Sequence, residues 1–291
     1  MKWNMYQMSL SSPSLWVVAI PIGNLGDISD RAKQVLSTVD LVLAEDTRSA
    51  GALFQLLGID SKSFVSLFSQ NEGNRVQSVL QFLDQGKEIA LISEAGTPVI
   101  SDPGSMVVQA CHKAGFPVRS VPGPCAPIAA LMVSGFQAQP FTFLGFLPRK
   151  EGEKKRIFSD FIRIRSTLLF FERKSRLKTS LGLAYEILGD REACLARELT
   201  KMYEEVTICS LAHIPETLNL RGEFTVVIGP SGGVDSWTSE QEVRSIVIHE
   251  MKQGGKPKEL IGRIAGKVRG WSRKELYKLY LELKNELKEL G

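Results

Sequence analysis

From Leu15 onward, short apolar runs alternate with segments whose apolar residues recur every three or four positions. LWVVAI ends at Pro21. SDRAKQVLSTV follows, with Ala32, Val35, Leu36 and Val39 at helical spacing and Ser29 placed to cap the helix. The same reading predicts a strand at DLVLAED, a helix at SAGALFQLLG closed by Gly58, a helix at NRVQSVLQFLDQG, a strand at IALISE, a helix at MVVQACHKAG and a strand at PVRSVPG. Strands alternating with helices of about ten residues predict α/β units and a mostly parallel sheet.

VPGPCAP (121–127) carries three prolines in seven residues and marks a handover between domains. Beyond it, FTFLGF, STLLFFE, EACLARE and EFTVVIGP read as strands, with helices at KTSLGLAYEILG and near 211–218. PSGGVDS (230–236) reads as a linker. After it, QEVRSIVIHEMKQG, PKELIGRIAGKV and RKELYKLYLELKNELKEL are amphipathic and helical. The expected organisation is an N-terminal tail (1–14), two α/β domains (15–122 and 123–232) with a cleft between them, and a small helical extension (233–291). In that extension Leu260, Ile264 and Val268 form an inward stripe. That stripe leaves Lys252, Lys256, Lys258, Arg263 and Lys267 either to phosphates or to solvent.

The chain has 291 residues, 43% hydrophobic and 23% charged, which is globular composition with room for two domains. A net charge of +4 permits an anionic partner without requiring one. Cysteines at 111, 125, 194 and 209 and histidines at 112, 213 and 249 form no metal-ligand spacing, so free thiols and no metal are expected. The first fourteen residues lack the apolar core of a signal peptide, and no later run approaches a membrane span. The expected setting is the cytoplasm.

Three motifs fall at carboxyl ends of predicted strands, where open α/β sheets bind ligands. AIPIGNLGDIS (19–29) has glycines that free backbone amides for a ligand or simply allow a tight turn, and its spacing is neither dinucleotide nor Walker type. AEDTR (44–48) is a charged ligand edge or a solvated turn with its own ion pair. In GTPVISDPG (96–104), Pro98 and Pro103 fix the backbone while Thr97 and Ser101 offer hydroxyls; Glu94 and Asp102 could equally cap turns. From Arg149 to Lys178 there are eleven Lys/Arg against four Asp/Glu. This basic run, with Phe170, Phe171 and Tyr203 near it in sequence, suits RNA or is a solvated face.

WVVAIPIGNLGDIS, DLVLAEDTR, ISEAGTPVISDPG, VPGPCAPIAAL, FLGFLPRK, FFERKSRL and ARELTKMYEEV occur in the order found in the tetrapyrrole-methylase superfamily. More narrowly, the chain resembles the small-subunit ribosomal RNA methyltransferase I branch from about residue 14 through the helical tail. The resemblance implies a transferase that uses S-adenosylmethionine, folded between two α/β domains, to methylate the 2′-hydroxyl of a cytidine in the decoding region of 16S rRNA. It also implies the small ribosomal subunit as partner and a homodimer. Carried over by position, Pro21, Ile22, Gly23, Asn24, Thr97, Pro98, Ile100, Ser101, Pro124, Cys125, Ala126, Phe171 and Glu172 would bind the cofactor. Glu94, Cys125, Gly26 and the run Arg173, Lys174 and Ser175 depart from the usual pattern of that branch.

A ribose hydroxyl is a weak nucleophile and needs a base, or a cation to stabilise the forming alkoxide. The candidates are Glu45, Asp46, Glu204 and Glu205, with Arg48 and Lys201 as electrostatic partners. Arg149, Lys150, Arg173, Lys174 and Arg176 are the candidate RNA contacts. Two other readings are a superfamily sibling acting on another RNA or on a small molecule, and an RNA-binding module without catalysis.

Overall fold

Runs without a polar position become strands buried on both faces, as a sheet covered by helices on each side requires. The computed structural model of the chain describes residues 13–289 apart from 61, 163, 220, 232–237, 239, 269, 270 and 272. The expected tail up to residue 12 and most of the expected linker lie outside the described residues. Packing divides the chain into two units, Met1–Ser231 and Gly232–Gly291.

The first unit opens with β1 (Leu15–Val18), α1 (Asp30–Thr38), β2 (Leu41–Ala44), α2 (Thr47–Leu56), β3 (Ser63–Ser66), α3 (Glu72–Asp84), β4 (Ile89–Ile92), α4 (Ser105–Ala114) and β5 (Val118–Val121). The five strands form one sheet in the order β3-β2-β4-β1-β5, and every pair is parallel. Ser29 caps α1 as its position predicts, its hydroxyl accepting from the Ala32 N–H at 3.1 Å. Trp16, Val18, Val42 and Ala90 face α1 and α2 on one side; Leu15, Leu43, Ile89 and Leu91 face α3 and α4 on the other.

The unit continues with α5 (Ala126–Ser134), β6 (Phe141–Phe146), α6 (Glu151–Asp160), β7 (Thr167–Arg173), α7 (Leu177–Leu188), β8 (Glu192–Arg197), β9 (Glu205–Ser210) and β10 (Glu223–Ile228). This sheet has the order β6-β7-β10-β8-β9. Only β6 and β7 are parallel, and the other three pairs are antiparallel, so this second sheet is mixed. Short links such as that between β8 and β9 can join antiparallel neighbours, whereas parallel ones need a crossover. Near 211–218 there are turns in place of the expected helix: Leu211 N–H donates to the Arg191 carbonyl at 2.9 Å and Ala212 N–H to Asp190 Oδ1 at 3.0 Å. Phe170, Phe224 and Val226 pack with Phe158, Leu177 and Leu181 on one face of the sheet. Leu169, Ala196 and Val227 pack with Ala130 and Leu131 of α5 on the other.

The second unit contains α8 (Glu240–Lys252), α9 (Pro257–Ala265) and α10 (Arg273–Glu289). Leu260, Ile264 and Val268 are buried with Val243, Val247, Leu276 and Leu279, as the stripe predicts. Two of the five cations expected to be free are not. Arg263 Nε and Lys267 Nζ hold the buried Glu250 carboxylate at 2.7 and 2.6 Å.

Candidate active site

The loops after β1 and β4 are joined by a two-way backbone bridge: Ile20 N–H donates to the Gly96 carbonyl at 2.9 Å and Gly96 N–H to the Ile20 carbonyl at 3.1 Å. Gly96 has φ 77°, and a Cβ there would stand 3.0 Å from Ile22 Cγ2, so the bridge requires glycine. Farther along the same loop Val99 and Ser101 hold φ of 73° and 72° without being glycines. Each such residue costs about 1–3 kcal/mol, and this kind of strain concentrates at ligand sites. The surrounding contacts hold the loop in place. Thr97 Oγ1 donates to the Pro124 carbonyl at 2.8 Å, and the buried Glu72 accepts from Gly104 N–H at 3.0 Å and Met106 N–H at 2.7 Å.

The second sheet presents the opposing wall. Ile22 and Phe143 pack on the sheet face that carries Leu169 and Ala196. Phe171 meets Phe143 and Phe146, with ring centroids 5.1 and 5.0 Å apart, and so shares that face. Its neighbour Glu172 points the opposite way, because successive strand residues alternate faces. Glu172 is buried, with Lys154 Nζ at 3.2 Å, Ser180 Oγ at 2.5 Å, Arg176 Nη2 at 2.6 Å and the Arg173 N–H at 2.8 Å. The expected pair Phe171 and Glu172 is therefore split between the two faces of the sheet, and Arg176 is committed to Glu172.

Between the walls lies an open cavity of about 290 Å³ lined by Ile22, Asp27, Gly123, Pro124, Cys125, Ala129 and Thr200. Glu198 and Thr200 also carry positive φ, 50° and 66°. The buried Thr200 Oγ1 has no hydrogen-bond partner among the described residues. Gly23 approaches the Lys201 side chain so closely that a Cβ would fall 2.4 Å from Lys201 Cγ. Lys201 Nζ is held by Glu223 Oε2 at 3.1 Å and Glu198 Oε1 at 3.3 Å. Partial burial lowers its pKa, but hydrogen bonds and charge from Glu223 and Glu198 more than offset this, and the net shift is upward. Pro21, Ile22, Gly23 and Asn24 thus share one region with Thr97, Pro124, Cys125, Thr200 and Lys201.

The acids of the sequence candidates have separate fates. Asp46 caps α2 and holds the exposed Arg48 guanidinium at 2.7 Å, and that hydrogen bonding brings its pKa down to about 2. Glu204 Oε2 accepts from the Thr200 N–H at 2.5 Å, and Glu205 Oε2 holds Arg197 Nη2 at 2.8 Å. Glu45 follows β2, and its pKa is raised by partial burial and by the charge of Glu94, which follows the adjacent β4. Asp102, in the strained loop, is pushed up to about 6 by burial and by Glu45 and Glu94. By sequence alone Asp102 could equally cap a turn. Only the neighbouring positions of β2 and β4 reveal three carboxylates in one field. Arg149, Lys150, Arg173 and Lys174 are exposed, and Lys150 lies 3.6 Å from Glu153.

Two sheets of this topology, meeting at a strained glycine- and proline-rich loop, give a two-lobed α/β protein with its candidate site between the lobes. The family model for Tetrapyrrole (Corrin/Porphyrin) Methylases matches residues 14–215, and the chain belongs to that family. It is similar to proteins named ribosomal RNA small subunit methyltransferase I from Streptococcus pyogenes serotype M3 and Escherichia coli O157:H7. Each is 37% identical, over 94% of this chain and 96% of the relative. The namesake from Vibrio cholerae is 43% identical over 70% of each chain. Among solved structures, the methyltransferase CobJ matches with TM-score 0.58 and 17% identity over 77% of this chain and 97% of its own. Uroporphyrin-III C-methyl transferase from Thermus thermophilus, solved with S-adenyl homocysteine, matches with TM-score 0.54 and 16% identity over 75% and 97%.

Proposed function

We propose that this protein transfers a methyl group from S-adenosylmethionine to small-subunit ribosomal RNA, at the 2′-hydroxyl of a cytidine in the decoding region of 16S rRNA. The observation that carries the reading is the likeness to ribosomal RNA small subunit methyltransferases over 94% of the chain, which extends past the family model into the helical unit. The residues fit the cofactor. The orphaned Thr200 hydroxyl gives a polar ligand a partner, the strained loop brings backbone close to it, and Ile22, Pro124 and Ala129 give an apolar wall. Exposed cations at 149, 150, 173 and 174 suit the phosphates of an RNA substrate.

Bound S-adenosylmethionine supplies a methyl group on a positively charged sulfur, already activated for attack. The chain's own task is to align the hydroxyl and take its proton. Asp102, in the strained loop whose Ser101 meets Gly145 of the second sheet, is the base we assign. Its pKa of about 6 leaves it ionised near neutrality and still basic enough to accept a proton, while Asp46 and Glu205 are occupied by arginines. Burial raises that pKa first, and the charges of Glu45 and Glu94 add to the shift.

The reading includes a homodimer in the cytoplasm. Its support is the edge strand β9, which leaves Val206 and Ile208 exposed, and the preceding turn, where Met202 is 89% and Tyr203 69% exposed. Among the described residues no helix is long and apolar enough to cross a membrane. The deciding experiment incubates the protein with tritiated S-adenosylmethionine and unmodified small ribosomal subunits and maps the label. A single cytidine resistant to alkaline cleavage is expected, since 2′-O-methylation removes the nucleophile for that cleavage. Label on a base with a free 2′-hydroxyl rejects the ribose assignment.

A further inference from the structure

Resting on the ribosomal RNA reading, we propose that the ring of Phe146 is the platform on which the base of the target nucleotide stacks, setting its ribose against the cofactor loop. Phe146 is 58% exposed although it ends a strand of the second sheet. Its position follows from an irregularity in that strand. Phe143 pairs with Leu169 and Phe146 with Phe171, so β6 carries one more residue than β7 across the same stretch. Gly145 takes up the extra residue with φ 66°. A bulge of this kind shifts the alternation of faces, and such bulges re-aim side chains beside active sites. The shift brings Phe146 to the face where Phe143 and Phe171 lie, and its ring is braced at 5.0 Å by Phe171.

The same bulge abuts the cofactor loop of the first sheet. A Cβ on Gly145 would stand 3.3 Å from Ser101 Oγ, so the backbone one residue before Phe146 touches the strained segment that also carries Asp102. Strands β6 and β7 run parallel and leave the sheet at the same end. At that end the exposed Arg149 and Lys150 follow β6, and the exposed Arg173 closes β7 with the exposed Lys174 next to it. A solvent-facing aromatic ring, a flanking pair of cationic turns and an adjacent strained loop form the arrangement by which proteins hold an unstacked base while contacting its phosphates. A ring serving only the core would be covered, and a phosphate contact alone would not need an aromatic residue.

The test uses the full chain with F146A and F146W, small ribosomal subunits as substrate, calorimetry for cofactor affinity and light scattering for mass. Stacking on an aromatic side chain is worth enough that F146A should lose on the order of ten- to a hundredfold in kcat/KM. The tryptophan variant should recover to within about threefold of the parent, because stacking tolerates any aromatic face. Cofactor affinity and mass should not change. The salt slope of subunit binding should stay at the parent value in F146A and flatten in an R149A/K150A control, because only phosphate contacts release counterions. Full kcat/KM in a folded F146A overturns the inference and leaves the RNA reading standing. Loss of cofactor affinity reassigns the ring to the cofactor, and a changed mass reassigns it to a protein interface; either overturns it. So does F146W performing no better than F146A. A parent protein that labels no ribosomal RNA removes both the inference and the reading beneath it.

Discussion

Asp102 sits half-buried in the field of two other carboxylates, and its pKa of about 6 ties activity and stability to pH in opposite directions. As the base, it must be ionised, so kcat should rise as pH passes through about 6. Asp102→Asn should lower kcat and flatten that profile. For stability, the folded-state pKa lies above the ordinary carboxylate value, so between about pH 4 and 6 the folded protein holds a proton that the unfolded chain has lost. Stability therefore falls as pH rises through that window, and the penalty is complete above it. Asp102→Asn should accordingly raise Tm at pH 7.5, by about 1 kcal/mol in stability once solvent screening is allowed for, and have little effect at pH 4. Melting curves at the two pH values check this, and a variant less stable at pH 7.5 would contradict the electrostatic picture. At Thr97, whose hydroxyl ties the strained loop after β4 to Pro124, a long cation must displace the loop. Thr97→Arg should leave a folded protein without measurable cofactor affinity by calorimetry; unchanged affinity would move the site elsewhere.

At the scale of elements, β7 illustrates how one strand serves two purposes. Phe171 faces the lobe boundary while Glu172 joins α6 and α7 through Lys154 and Ser180 and holds the turn beginning at Arg173. Removing the carboxylate strands a buried ammonium, so Glu172→Ala should cost about 3–5 kcal/mol. Lys154→Met should cost less, because Arg176 still neutralises Glu172 at 2.6 Å. Urea unfolding of both variants gives the ranking, and the reverse order would show that Arg176 does not carry that role. The same region shows what a sequence conceals. The stripes of α1 and α3 and the uniform runs of β2 and β4 were readable, because burial on one side or on both leaves a period. The α6 segment hid behind its charges, since one of its two buried positions is Lys154. Apolar residues on nearly every side of α5 leave no stripe to read. SFVS in β3 is short and lies at a sheet edge, and β9 exposes Val206 and Ile208, so neither shows a buried run. The site loops were legible as glycine and proline clusters at strand ends. Phe146, Thr200 and the Glu45–Glu94–Asp102 field were not, because each depends on register or strand order.

Over the whole molecule, the division after Ser231 separates the candidate cleft from the helical unit, each with its own buried cluster. Glu250, with its carboxyl drawn down to about 2 by hydrogen bonds from Lys267 and Arg263, ties α8 to α9 and the turn after it. Those two cations therefore act within the unit, leaving Lys252, Lys256 and Lys258 exposed for phosphates. A chain ending at Ser231 should keep its fold and its cofactor affinity, since every residue lining the cavity lies before that point. It should bind small ribosomal subunits more weakly. Each lost phosphate contact removes about 0.7–0.9 from the slope of log affinity against log salt, so losing three lysines should flatten that slope by at least about 2. The deficit should shrink as salt rises, because the contacts being removed are the ones that counterions already weaken. Filter binding across a salt series measures both quantities. A folded truncation with full-length affinity and an unchanged slope would assign the helices to a structural role and leave RNA capture to the basic turns beside β6 and β7.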